Sequence, residues 1–231
     1  MCPLCNHETR SLGAVDFNRG CFHSLPARGE MIEYRKCDQC AVIFAPEMCA
    51  WSKDQYMARV YNDDYVLVDP EINGVRARRN ADWMLQSFGS SPGISHLDYG
   101  GSNGELAEAL REAGWDSTSY DPMSDEPFPD RKFDLVTAFE VFEHAPNPSS
   151  LMLDLSRVTG DTLLFSTATN DKAVDPLDWW YLAPRNGHVM LYSKRSLSDL
   201  LSRSGLRLSS IDDGSHFGLL NPSSILNVVS A

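Results

Sequence analysis

The chain has 231 residues, with 20 Lys and Arg against 32 Asp and Glu, a formal net charge of −12 and 42% hydrophobic residues. That length supports one good core, or one core plus a small module. The acidic balance argues against a duplex nucleic-acid surface, which needs clustered cations to replace counterions, and no apolar run approaches the roughly 20 residues that cross a bilayer.

The N-terminus, Met1-Cys2-Pro3-Leu4-Cys5, lacks the basic start and apolar run of a secretory signal, so a cytoplasmic location is the default expectation. All six cysteines fall in the first fifty residues. Cys2-Pro3-Leu4-Cys5 and Cys37-Asp38-Gln39-Cys40 are two C-x-x-C knuckles, and each can place two thiolates on one zinc. Residues 6–36 between them fit a β-ribbon. Four thiolates leave no open coordination position, so the metal would be structural. Disulfides are disfavoured without a secretory signal, and neither pair opens a helix as a redox C-x-x-C does. Cys21 and Cys49 read as ordinary thiols, with His7 and His23 as substitute ligands. Residues 1–50 are therefore expected to form a zinc-ribbon-like module. Residues 51–74, rich in Tyr, Asp and Asn, read as a connecting segment.

A helical pattern covers 75–88, and Ser90-Ser91-Pro92-Gly93 breaks it. Arg76, Arg78 and Arg79 on this helix form the compact basic cluster of the chain and read as a solvated face. From Ile94 onward strands near 94–99, 116–121, 133–139, 161–167, 206–212 and 224–230 alternate with helices near 104–113, 148–158 and 194–204. Alternation of this kind predicts an α/β fold, a doubly wound, mostly parallel, Rossmann-like sheet. Residues 122–132, with Pro122, Pro127 and Pro129, are too few for a helix and a further strand. The third strand region is therefore expected to be abbreviated to a loop at one sheet edge.

Leu97-Asp98-Tyr99-Gly100-Gly101-Ser102-Asn103-Gly104 reads as a buried strand breaking into a glycine turn before a helix. Glycine lets backbone N–H groups approach a ligand, and a helix N-terminus favours anionic or polar groups. The glycine offsets are not those of a dinucleotide fingerprint. Asp98 before the turn would repel pyrophosphate but pair with an ammonium group. Asp121, ending the next strand, could accept both hydroxyls of a ribose. A nucleoside bearing an amino acid fits these features better than a nicotinamide dinucleotide.

Residues 75–231 resemble the class I S-adenosylmethionine-dependent methyltransferases. The acidic residue and glycines of the family's first motif match Asp98, Gly100 and Gly104, with Ser102 in place of the middle glycine. Asp121-Pro122 resembles the ribose-binding motif, Phe133 to His144 the fourth strand and its loop, and Leu163-Leu164-Phe165-Ser166-Thr167 the fifth. The resemblance implies S-adenosylmethionine as cofactor, held by Asp98, Gly100, Gly101, Gly104, Asp121, Pro122 and Glu140. Met123, Ser124, Asp125 and Phe128 either take over the adenine end or are turn residues.

The stretch Trp179 to Ser193 crowds aromatics, Arg and His into one segment. Trp179, Trp180 and Tyr181 could wall a substrate pocket or cover the sheet as core, and Arg185 could bind a carboxylate or phosphate or merely sit on the surface. Gly187-His188 resembles the closing region of small-molecule methyltransferases, among them sugar C-methyltransferases that carry a cysteine-rich zinc module. In those relatives a Glu-His pair supplies the base, and Gly187 stands here in the place of the Glu. His188 is the expected base and His144 the competing one. The expected activity is methyl transfer to a small molecule, possibly a sugar or glycan-pathway intermediate. The alternatives are an RNA methyltransferase and a non-catalytic cofactor-binding scaffold with a zinc docking module.

Overall fold

The computed structural model describes residues 1–90, 92–204, 206, 208–210 and 216–220. In chain order the strands and helices are β1 (Thr9–Asp16), β2 (Met31–Cys37), β3 (Ile43–Phe44), α1 (Pro46–Cys49), α2 (Lys53–Arg59), α3 (Tyr65–Val68), α4 (Val75–Phe88), β4 (Ser95–Tyr99), α5 (Glu105–Glu112), β5 (Asp116–Tyr120), β6 (Phe133–Phe139), α6 (Pro148–Val158), β7 (Thr159–Ser166), β8 (Met190–Leu191), α7 (Lys194–Ser202), β9 (Leu208–Ser210) and β10 (His216–Leu220). The expected strand at 224–230 lies outside the described residues. No described helix is long and apolar enough to cross a membrane.

The chain divides into two compact units. The first draws on Met1–Pro70, Phe142–Leu151 and Thr167–Leu200. Its sheet has the order β1-β2-β3-β8, with antiparallel pairing throughout. Period-2 alternation in β2 turns Ile32 and Tyr34 inward, where they join Phe17, Ile43, Phe44 and Met48 in the core. The stretch read as a connecting segment carries α2 and α3. Ser52 opens α2 with a reciprocal capping box through Gln55, which satisfies two otherwise orphaned N–H groups.

The second unit holds Glu71–Val141, Met152–Ser166 and the chain from Leu201. Its six-stranded sheet runs β5-β4-β6-β7-β10-β9. β5, β4, β6 and β7 are mutually parallel, whereas β10 is antiparallel to both β7 and β9. β5 is an edge strand, and β6 passes to the far side of β4, so the strand that would follow β5 is replaced by the loop 122–132. The central strands are buried on both faces, as parallel strands flanked by helices must be. Ala81 and Met84 of α4 and Leu106 and Leu110 of α5 meet Trp115, Leu135, Phe139 and Leu164 in one core. The fold is the expected doubly wound, Rossmann-like sheet. β10 is an addition that the alternating pattern did not reveal.

Candidate functional site

In the first unit the four knuckle cysteines converge. Cys2 and Cys40 Sγ lie 3.6 Å apart, Cys5 and Cys37 3.4 Å, Cys5 and Cys40 3.6 Å. Four sulfurs around a tetrahedral zinc at about 2.3 Å stand roughly 3.8 Å from one another, so the set fits that ion. The two knuckles are built alike. Asn6 and Ala41, each directly after the second cysteine, take left-handed φ values of 59° and 61°. Each donates its N–H to the carbonyl of the first cysteine, Asn6 to Cys2 at 3.0 Å and Ala41 to Cys37 at 2.9 Å. That turn closes the loop so that both sulfurs face inward.

The first unit also gathers Glu143, His144 and His188, with ligand atoms within 4.8 Å of one another. Glu143 is fully buried and His188 nearly so. The His188 ring lies 2.7 Å through Nδ1 from the Tyr181 carbonyl. A carbonyl only accepts, so Nδ1 carries the proton and Nε2 keeps the lone pair when the ring is neutral. Tyr181 also donates its hydroxyl to Glu143 Oε1 at 2.5 Å. His144 Nε2 stands 3.9 Å from the same carboxylate, its Nδ1 lies 3.2 Å from the Tyr61 hydroxyl, and the two imidazole rings are 4.9 Å apart. The rival bases of the sequence thus belong to one cluster.

Gly187 explains how. It takes φ +85°, and a Cβ there would lie 3.1 Å from Val60, 3.2 Å from His144 Nδ1 and 3.4 Å from the Tyr61 hydroxyl. His144 and Tyr61 therefore occupy the space beside Gly187, and Glu143 is the carboxylate of the cluster. Glu143 is not among the site residues expected from the sequence. The signal available was a carboxylate next to a histidine in a short helical turn after a core strand.

The segment around Tyr181 departs from expectation at Arg185. The residue is 2% exposed, and its guanidinium donates to the Val60 carbonyl at 2.6 Å and to Asn62 Oδ1 at 2.7 Å. Burial pulls its pKa below the usual arginine range. Arg185 therefore ties its loop to residues 60–62 rather than presenting a free anion receptor. Tyr181 is buried against Trp179 and Trp180, whereas Trp180 is 46% exposed and stacks on exposed Phe22 with ring centres 5.1 Å apart.

In the second unit the glycine turn leaves the carboxyl end of β4, the end at which parallel α/β sheets bind ligands. A Cβ at Gly101 would lie 2.3 Å from Ser119 Oγ and 2.4 Å from Asp98 Oδ2, so the backbone passes directly over Asp98. Ser102 takes a left-handed φ of 51° and donates its N–H to Asp121 Oδ2 at 2.8 Å. Met123 donates its N–H to Asp121 Oδ1 at 2.7 Å. One carboxylate thus pins the turn after β4 to the loop after β5. Gly104, with φ +80°, caps the N-terminus of α5.

Asp98 is 4% exposed, and its one hydrogen bond among the described residues is from the Thr137 hydroxyl, at 2.8 Å. Burial, reinforced by the Asp121 charge and opposed by the Thr137 bond, pushes its pKa up to about 7. A buried carboxylate of this kind is suited to a cationic ligand group. Glu140, with a left-handed φ of 53° at the end of β6, accepts the Ser166 hydroxyl proton at 2.8 Å. In the short loop, Ser124 bonds back to the Asp121 carbonyl, while Phe128 packs edge-on against Tyr120 beneath Arg157.

A Rossmann-like sheet with this glycine turn and these paired aspartates defines the class I S-adenosylmethionine-dependent methyltransferases. Residues 72–211 match the family model described as a methyltransferase domain, and the chain belongs to that family. Among solved structures it is similar to an O-methyltransferase family protein from Burkholderia thailandensis, at 14% identity and a TM-score of 0.55 over 77% of this chain and 66% of that one. It is also similar to magnesium protoporphyrin IX methyltransferase from Synechocystis PCC 6803, solved with bound S-adenosylmethionine, at 14% identity and a TM-score of 0.46 over 73% and 90% of the two chains. No curated protein matches the chain.

Proposed function

We propose that the protein transfers a methyl group from S-adenosylmethionine to a small molecule of the sugar or glycan-intermediate class, with His188 as the base. The observation that carries methyl transfer is the glycine turn over Asp98 with Asp121 beside it in the second unit; the cluster of His188, His144 and Glu143 in the first unit, with His188 Nδ1 on the Tyr181 carbonyl, supports His188 as the candidate base. When bound, the cofactor supplies an electrophilic methyl group. Asp98 holds its ammonium group and Asp121 its ribose hydroxyls, while Gly100, Gly101 and Gly104 leave room for its approach; Pro122 and Glu140 line the same strand ends. His188 Nε2 takes the proton of the acceptor, and the Tyr181 carbonyl fixes the ring's tautomer and orientation. Glu143 stabilises positive charge that develops on the imidazole pair. Trp179, Trp180 and Tyr181 border the acceptor, and Cys2, Cys5, Cys37 and Cys40 hold a structural zinc.

Transfer from methyl-labelled S-adenosylmethionine to a panel of nucleotide-activated sugars and to RNA tests the reading. Label in the sugar fraction is expected, and His188→Ala should lower turnover by about 10²–10⁴-fold with unchanged cofactor affinity. Label in RNA alone overturns the acceptor class, and near-wild-type turnover of His188→Ala overturns the base.

A further inference from the structure

Four polar side chains inside the parallel sheet form an unbroken line ending at Asp98. Ser117 Oγ lies 2.7 Å from His96 Nδ1, His96 Nε2 lies 3.0 Å from Thr137 Oγ1, and Thr137 reaches Asp98 Oδ1 at 2.8 Å. Strand register creates the line, because His96 stands opposite Ser117 on β5 and Asp98 opposite Thr137 on β6. All four side chains are buried, His96 and Thr137 completely. Buried polar groups in an apolar sheet are costly unless each is satisfied, and here each satisfies the next.

Counting protons fixes the direction of the line. An ionised Asp98 only accepts, so Thr137 must give its single hydroxyl proton to it. Thr137 Oγ1 can then only accept from His96, which places the ring proton on Nε2 and leaves Nδ1 to accept from Ser117. Burial holds the His96 pKa down to about 3, so the ring carries one proton and not two. Protonation of Asp98 on Oδ1 reverses every step. Asp98 then donates to Thr137, Thr137 donates to His96 Nε2, and His96 donates from Nδ1 to Ser117. One proton is added at Asp98, and one ring proton moves from Nε2 to Nδ1.

We propose that Thr137 and His96 are positioning residues that hold Asp98 in its charged form for the cofactor's ammonium group, and that the His96 tautomer reports that charge. The proposal rests on the reading of Asp98 as the ammonium partner. The groups facing the line are Asp121, whose charge opposes a second ionised carboxylate, and Arg111 of α5, which donates to the Ser117 carbonyl at 3.0 Å. Burial and Asp121 favour the protonated acid, and an arriving ammonium reverses that preference.

The test is nitrogen NMR of protein labelled with ¹⁵N-histidine, titrated with S-adenosylhomocysteine near pH 6.5, with His96 assigned from the signals lost in His96→Asn. Binding is expected to shift His96 toward the Nε2–H tautomer. Thr137→Val should abolish that response and weaken binding by about tenfold or more, and Thr137→Ser should restore both. Binding by wild-type protein with unmoved His96 signals overturns the relay, as does wild-type affinity in Thr137→Val. Failure of the wild-type protein to bind overturns the ammonium reading of Asp98 and the coupling with it.

Discussion

Replacement of Asp98 by Asn should raise the stability of the cofactor-free protein at neutral pH. A carboxyl that titrates near pH 7 when folded and near 3.8 when unfolded binds more protons in the folded state between those values. The folded form is then favoured at low pH, and stability falls as pH rises from about 4 to 7. The difference of about three pH units, at about 1.4 kcal/mol each, sets an upper value of about 4 kcal/mol at pH 8. His96 acts in the opposite sense. Its folded pKa near 3 means that stability is lost as pH falls below the unfolded value of about 6.5. Comparing wild type with Asp98→Asn at each pH cancels groups that both proteins share. Urea unfolding from pH 4.5 to 8 should show the variant gaining about 2–4 kcal/mol on wild type across that range. Parallel curves would refute a carboxyl whose titration burial pushes up toward neutral pH.

Other consequences follow from single groups. One zinc per chain should be found by elemental analysis, and Cys37→Ser should lose it together with the fold of the first unit; metal-free folded protein would exclude the site. Arg185→Ala should cost about 3 kcal/mol, because charge-assisted bonds to Val60 and Asn62 are lost in a buried setting; unchanged stability with weaker acceptor binding would return Arg185 to substrate recognition. Gly187→Ala should cost about 1–3 kcal/mol in thermal or urea unfolding, from left-handed backbone strain and crowding of His144; a neutral effect would mean that the loop relaxes freely. Tyr181→Phe should lower turnover while leaving S-adenosylhomocysteine affinity intact, since its bond to Glu143 is removed; equal turnover would detach Glu143 from the chemistry.

Elements fixed by local pattern were legible in the sequence. α4 occupies 75–88, as its helical pattern and the break at Ser90-Ser91-Pro92-Gly93 predicted, and Gly74 and Gly89 stand at its two ends. The shortened edge after β5 followed from chain length alone, since residues 122–132 cannot hold a helix and a strand. Features that depend on which strands become neighbours were not legible. β10 enters between β7 and β9 in antiparallel register, and nothing in the alternation of strands and helices specifies that order. Arg185 read as either an anion receptor or a surface residue because its partners, a carbonyl at Val60 and the side-chain amide of Asn62, lie more than a hundred positions earlier. His144 and His188 read as rivals for the same reason. Only the folded first unit brings both to one carboxylate.

The pairing of β3 with β8, Ile43 with Leu191 and Phe44 with Met190, has a bearing on synthesis. The four knuckle thiols have all been made by residue 40. Their ribbon's outer neighbour arrives only after most of the chain, roughly ten seconds or more later at about 5–20 residues per second. Until then β3 offers an open hydrogen-bonding edge, a template for strands of other chains. A fragment cut at residue 70 keeps the thiols and that bare edge but lacks its cover, and should be prone to aggregate. Expression designs that treat the cysteine module as a detachable tag should therefore retain the segment through Leu200, which closes the first unit.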